Sequence, residues 1–314
     1  SRLTEQKDAK NQKLKFFYND PIGRLKSREI WNASNVKVAT IAYTYDVTDD
    51  AALPVFKGQL AKVIDRQGWQ KFGYDVRGRV TRDKRFVSAT NQYPFTRNTY
   101  DDADRLTEIW YPSSTTVKVK YVYDTGGNLD RVESVAGTGT TEVFYDAQGF
   151  NALGQPLGIT YGNGLQTTYN YFANSKRLQQ MQTTKPGGGY HQNLTYTYDK
   201  VSNLKSITDG VYTGAGSGTV SSLQYDDLHR LTSLNSAAQG IKNYSYNAVG
   251  NILVNEEFGA GTYTYGTKPH AVTSANGKTY GYDACGNMTN RNSTTLTYNE
   301  ENQLKQYGAS ITFG

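Results

Sequence analysis

Cysteine is all but missing from this chain of 314 residues, where Cys285 stands alone. An internal disulfide and a cysteine-rich metal site are excluded, and Cys285 itself reads as a small residue in a turn. Proline is scarce as well, at 7 residues, which rules out a collagen-like chain or a proline-rich linker. Only 37% of the residues are hydrophobic. No stretch approaches the roughly 18 consecutive apolar residues of a helical membrane span. Histidine is limited to His191, His229 and His270, without metal-ligand spacing and without a cysteine or carboxylate pairing pattern. No metal, cofactor or catalytic centre is expected. The chain opens Ser1-Arg2-Leu3-Thr4, with neither an initiator Met nor a charged-then-apolar leader. That is expected of a trimmed start or of an internal piece of something longer.

Tyrosine is what the chain has in excess, 26 residues, with 31 Gly and many Thr and Asn beside it. Tyr and Thr favour strands, while Gly, Asn and Asp favour turns. The composition reads as many short strands joined by tight turns.

An internal repeat accounts for the excess. A Tyr-Asp (YD) motif begins at Tyr74-Asp75, Tyr100-Asp101, Tyr123-Asp124, Tyr145-Asp146, Tyr198-Asp199, Tyr225-Asp226 and Tyr282-Asp283, with Asn in place of Asp at Tyr246-Asn247 and Tyr298-Asn299. Weaker copies begin at Tyr18 and Tyr171, and Tyr45-Asp46 opens a degenerate one. From Tyr74 to Tyr246 the steps are 26, 23, 22, 26, 27, 27 and 21 residues. A constant motif at irregular spacing points to hairpins whose outer loops vary, not to a strict-period solenoid.

The motif has a mechanical reading. Tyr ends one strand with a large ring to bury. The following Asp or Asn bonds its own backbone two residues on and opens a turn. Gly three residues later, as at Gly78, Gly127, Gly149, Gly250 and Gly286, supplies the left-handed conformation of a short hairpin. An aliphatic residue then faces inward, with a second one downstream, as in Leu106-x-x-Ile109, Leu204-x-x-Ile207 and Leu231-x-x-Leu234. Stretches such as Leu194-Thr-Tyr196-Thr-Tyr198 alternate with period two, as strands do. One hairpin cannot bury its own tyrosine, so the units need neighbours. The expected fold is all-β: a curved antiparallel sheet of tandem hairpins, forming a single array over 1–314.

These motif copies resemble the Rhs/YD-repeat family, which includes bacterial polymorphic toxins, components of insecticidal toxin complexes and, more distantly, animal teneurins. Lys268-Pro269-His270-Ala271-Val272-Thr273, then Gly277 and Tyr282-Asp283-x-x-Gly286-Asn287, is similar to a segment found late in bacterial Rhs-type shells. The resemblance implies a secreted or cell-surface bacterial protein whose sheet winds into part of a spiral hollow shell. It further implies an enclosed C-terminal toxin polypeptide and further repeats of the same shell as partners. Lys71-Phe72-Gly73 leads into Tyr74-Asp75, and the chain stops at the similar Ile311-Thr312-Phe313-Gly314. It is therefore expected to end in mid-repeat, before the plug, cleavage site and toxin that the resemblance implies. No protease residue is carried over to this sequence.

The remaining signals are weighed against this reading. Each motif aspartate sits at the same turn position, which accounts for it without catalysis. Gly214-Ala-Gly216-Ser-Gly218 and Pro186-Gly-Gly-Gly189 are not followed by Lys-Ser/Thr and read as hairpin tips, not phosphate loops. The Asn-x-Ser/Thr triplets at Asn32, Asn193, Asn243, Asn287 and Asn292 are expected by chance in an Asn- and Thr-rich chain. Between Lys62 and Arg97 there are nine basic and three acidic residues, which matches the whole chain's excess of +6. That segment reads as a solvated face or a contact for an acidic partner. Nucleic-acid binding is not expected, because no recognised module accompanies the charge. Open sheet edges would pair with another copy. The rival functional class is an exposed repeat array that binds glycans or a partner protein at a cell surface.

Overall fold

Each short Tyr-, Thr- and Val-rich segment has to satisfy its backbone donors and acceptors, and here it does so on the next segment along the chain. The computed structural model describes residues 2–112, 117–135, 141–213, 216–259 and 261–313. Strands run from Glu5–Lys7 to Ile252–Asn255 in a 21-stranded sheet, and from Thr264–Tyr265 to Ile311–Thr312 in a 7-stranded one. Register after register, a strand pairs antiparallel with its sequence neighbour. No α-helix occurs among the described residues; the short 3-10 turn Glu256–Phe258 is capped by Asn255. No helix is long and apolar enough to cross a membrane among the described residues.

The chain, expected as a single array, divides into two compact units. One comprises residues 1–118 together with 279–314, and the other is the continuous stretch 119–278. The boundary falls inside the strand Lys118–Tyr123.

A β-bulge stands at nearly every motif tyrosine. Tyr100 pairs with Leu106, but Thr99 pairs with Glu108, leaving Thr107 as the extra residue. The same slip occurs at Tyr45, Tyr74, Tyr171, Tyr198, Tyr225, Tyr246, Tyr282 and Tyr298. This explains a spacing that a regular strand would forbid. In an unbroken strand, residues three apart face opposite sides. Here Leu231 lies opposite Tyr225 and Leu234 lies opposite Leu223, two residues back on the partner strand. Directly opposed residues share a face, so Tyr225, Leu223, Leu231 and Leu234 form one cluster. Tyr198, Tyr196, Leu204 and Ile207 form another. The opposite face carries polar pairs such as Thr197–Ser206 and Gln224–Ser233.

These clusters take the place of a thick core. Packing between elements is essentially between strands adjacent in sequence. Few apolar side chains are fully covered, Ile30 and Leu53 being the largest. Tyr74, Tyr198 and Tyr225 are half-buried, whereas the sequence had suggested rings sealed inside.

The bulge makes a test. Leu234→Ser should cost about 1 to 3 kcal/mol for the apolar contact it forfeits, while Ser233→Ala should stay within about 0.5 kcal/mol. Denaturant titration of the two variants would show it. The reverse ranking would mean that position 233, not 234, shares a face with Tyr225.

Candidate functional site

The motif aspartate closes its turn with both carboxylate oxygens. Asp75 Oδ1 accepts the backbone N–H groups of Arg77 and Arg79, each at 3.0 Å, and Oδ2 accepts Arg79 Nε at 2.6 Å. Asp101 and Asp226 repeat the arrangement with Arg105 and Arg230. At Asp124, Asp199 and Asp283 the amides of Asn128, Asn203 and Asn287 replace the guanidinium. Asn247 accepts from the backbone of Val249 and Asn251 in the same way. The backbone closes the loop too: Gly78 N–H donates to the Asp75 carbonyl, and Asp75 N–H to that of Arg79. The left-handed position is taken by Gly78, Gly127, Gly250 and Gly286, and by Asp104, Ser202 and His229 where glycine is missing. Backbone N–H donation, from Arg105 and Arg230 respectively, is the largest influence holding the Asp101 and Asp226 carboxyls below the usual range.

At most of the motifs the tyrosine couples its turn to the one before it. Its hydroxyl donates to the backbone carbonyl of the residue that follows the previous turn. Tyr74 donates to Leu60, Tyr100 to Val80, Tyr198 to Leu178, Tyr225 to Leu204 and Tyr246 to Leu231, at 2.8 to 3.0 Å. Tyr18, Tyr45, Tyr171 and Tyr265 latch onto Leu3, Leu25, Pro156 and Ile252. A second coupling uses the basic residue that ends the turn. The guanidinium of Arg24 lies over the Tyr45 ring at 4.3 Å, Arg79 over Tyr100 at 4.9 Å, Arg177 over Tyr198 at 4.8 Å and Arg230 over Tyr246 at 4.6 Å. Arg79 and Arg177 also donate to the carbonyls of Asp101 and Asp199 in the next turn. Neither coupling was read from the sequence. The signal for the second was present: an Arg five or six residues after one motif tyrosine, with the next tyrosine about 20 residues further on.

Some copies depart from the pattern. Tyr145 and Asp146 lie within the strand Thr141–Ala147, and Asp146 takes Arg131 at 2.8 Å instead of opening a turn. The turn there is five residues later, where Asn151 Oδ1 accepts from Leu153 and Gln155 and Gly154 has a φ of 72°. Phe150-Asn151-x-x-Gly154 thus stands in for the motif; Gly149 is left-handed (φ 96°) but lies outside the turn. The Lys268–Val272 segment is itself a turn of the series, since Tyr265 pairs with Val272 across a bulge. His270 Nδ1 meets Asn251 Oδ1 at 2.7 Å, and Asn251 also donates to the Pro269 carbonyl. Tyr282 pairs with Met288, and Tyr123 ends the strand Lys118–Tyr123. Gly187, Gly188 and Gly189 form a left-handed hairpin tip, while Gly214 and Ala215 lie outside the described residues.

The basic segment is engaged from within the fold. Lys62 and Lys71 pair with Asp49, Lys84 with Asp50, Arg85 with Asp65, Arg66 with Glu300, and Arg77 and Arg79 with Asp104. Arg82 donates to the Ala52 carbonyl, and Arg97 lies over Trp110. Within the first unit, the last turns clasp the first strands: Lys10 pairs with Asp283 at 2.9 Å and Arg28 with Glu301 at 2.6 Å. Partial burial pushes the Asp283 carboxyl up, but Lys10 and Asn287 outweigh it and hold the value at about 2. Among the described residues no group of three or more His, Cys, Asp and Glu side chains is placed to hold a metal ion.

A repeat array with carboxylate-closed turns and tyrosine latches is therefore what the fold and its recurrent site define. No family profile matches the chain. It is 26% identical over 189 residues to toxin subunit YenC1 of Yersinia entomophaga, covering 49% of this chain and 19% of that protein. It is 27% identical over 191 residues to toxin subunit YenC2 of the same organism, covering 57% of the chain and again 19% of the relative. The matched region thus spans about a fifth of each relative's length. In three dimensions it superposes on the TcdB2-TccC3 crystal structure with a TM-score of 0.78 over 95% of the chain and 18% of that structure, at 17% identity. The Photorhabdus luminescens Tc holotoxin pore gives 0.80 over 98% of the chain and 17% of its counterpart, also at 17% identity. The chain is thus similar in sequence to these toxin subunits over about half its length, and similar in fold to the Tc toxin structures over nearly all of it.

Tyr225→Phe removes only the hydroxyl latch and should cost about 1 kcal/mol. Tyr225→Ala also loses the half-buried ring and should cost about 2 to 4 kcal/mol. If both variants unfold at the parent's denaturant midpoint, the latch contributes nothing. Lys10→Met should destabilise in a pH-dependent way. A carboxyl with a lower pKa folded than unfolded binds fewer protons when folded, so its contribution is complete above the unfolded value near 4. The deficit of Lys10→Met relative to the parent should therefore shrink as pH falls from about 4 toward 2. A deficit of constant size across that range, measured by denaturation, would contradict the assignment.

Proposed function

We propose that the chain is a structural, non-catalytic segment of a secreted bacterial toxin shell of the Rhs type, whose hairpins build the wall around a C-terminal toxin polypeptide. The observation that carries this reading is the hairpin-to-hairpin latch, repeated from Tyr18 to Tyr265. It is a device for extending a wall, because each unit presents the next with the same acceptor and the same ring. The kinship with toxin subunits supports the toxin context. In this reading the motif tyrosines and aspartates from Tyr74-Asp75 to Tyr282-Asp283 carry stability, not chemistry. The units 1–118 with 279–314 and 119–278 then belong to one continuous array, and further repeats and the enclosed polypeptide are its partners.

Limited proteolysis of the full-length gene product tests the reading. The downstream polypeptide should resist protease while the repeats are folded and become sensitive once denaturant opens them. Immediate digestion under native conditions would sink the enclosure and favour a surface-exposed binding array.

A further inference from the structure

The repeated latch leaves some slots without a covering arginine, and the one before Tyr225 opens onto a groove. At Tyr45, Tyr100, Tyr198 and Tyr246 a guanidinium from the preceding turn covers the tyrosine ring, at 4.3 to 4.9 Å. Tyr225 has the same latch, with its hydroxyl on the Leu204 carbonyl, but the residue ending the preceding turn is Asn203. Asn203 is too short to cover the ring and instead meets Asp199 and His229 Nδ1. A groove of about 610 Å³ lies at this point, lined by Asp199, Asn203, Tyr225, Asp226, Asp227 and His229, among others.

The groove's chemistry is that of the filled slots without the guanidinium. Asp75, Asp101 and Asp226 each have an arginine partner, whereas Asp199 is held by a neutral amide and the backbone. Neither Asp199 nor Asp227 takes part in an ion pair among the described residues. Lys205 also lines the groove but pairs with neither. In two of the filled slots the guanidinium donates to the carbonyl of the next motif aspartate, Arg79 to Asp101 and Arg177 to Asp199. The Asp226 carbonyl accepts only the His229 N–H at 2.9 Å and keeps a second lone pair. Aliphatic turn residues of the two adjoining turns stand in solvent, Val201 in the groove lining at 61% exposure and Leu228, next to Asp227 in the chain, at 69%.

We infer that this groove receives an arginine side chain from a partner polypeptide, stacked on Tyr225 and facing Asp199 and Asp227, with apolar neighbours of that arginine resting on Val201 and Leu228. A planar guanidinium suits the site better than an ammonium, because it combines ring stacking with directed donors. The partner is therefore an arginine flanked by apolar residues on an accessible segment.

The test uses the chain with selectively labelled tyrosine and histidine, titrated in NMR with three capped tripeptides: Leu-Arg-Leu, Leu-citrulline-Leu and Gly-Arg-Gly. The Tyr225 and His229 signals should shift saturably with Leu-Arg-Leu, about tenfold more weakly with the neutral citrulline peptide, and more weakly with Gly-Arg-Gly. Asn203→Arg should fill the slot from within, abolish the response and raise the melting temperature. Asp227→Asn, at an exposed position outside the latch, should weaken binding and keeps the test decisive if Asn203→Arg does not fold. Equal responses to arginine and citrulline, or unchanged binding in either variant, would overturn the assignment. Equal affinity for the two arginine peptides would overturn the apolar-flanked partner.

Discussion

A tyrosine held at both ends is the interaction on which this structure depends. Its ring rests among same-face neighbours, such as Leu223 on its own strand and Leu231 and Leu234 on the next, while its hydroxyl reaches back to a carbonyl in the previous hairpin. Strands here pack mainly on their sequence neighbours, and few side chains are fully buried. Cohesion has to come from couplings along the sheet. A half-buried ring with a polar tip supplies both apolar contact and a directed hydrogen bond from one side chain. The coupling also explains the uneven repeat spacing. Only the tyrosine and the acceptor carbonyl must meet, so the loop at the far end of each hairpin is free to vary. The motif turn itself can also lengthen, as from Asp46 to Gln59, and Tyr74 still finds the Leu60 carbonyl that follows it.

Charge follows the same economy of local pairing. The motif carboxylates are spent on their own turns, two backbone donors to one oxygen and an arginine or asparagine to the other. The excess positive charge between Lys62 and Arg97 meets Asp49, Asp50, Asp104 and Glu300 from outside the segment. A region that reads as a basic patch along the sequence is therefore laced into the fold, and what it presents to a partner is smaller than its formal charge. The arginines do two jobs at once, closing one turn and covering the next tyrosine. Beside Asn251, one of the asparagines that stand in place of arginine, the Pro269 carbonyl and His270 take up the amide instead.

An array built from recurrent couplings extends hairpin by hairpin, since any hairpin is completed by another like it. That logic connects the local chemistry to the toxin subunits with which the chain shares sequence. It also gives meaning to irregular positions. The turn at Asn151 and the open groove before Tyr225 are places where the standard coupling has been altered without breaking the hairpin order.

By itself the sequence determined the fold class, the turn position of most motif aspartates and the need for left-handed residues after them. These are consequences of local backbone chemistry, and a motif of seven residues, as from Tyr74 to Val80, contains all of it. The false start at Tyr145-Asp146 shows the limit: the letters match, yet Asn151 offers an equivalent turn five residues later and the strand simply continues. The leucine spacing of three contained the bulge but could not be read as one until Thr99 was seen opposite Glu108. The tyrosine latch, the guanidinium stacked on the following ring and the clasp of Lys10 on Asp283 were decided only by the tertiary structure. Each joins residues about 13 to 273 positions apart, at distances set by strand pairing rather than by the identity of either partner.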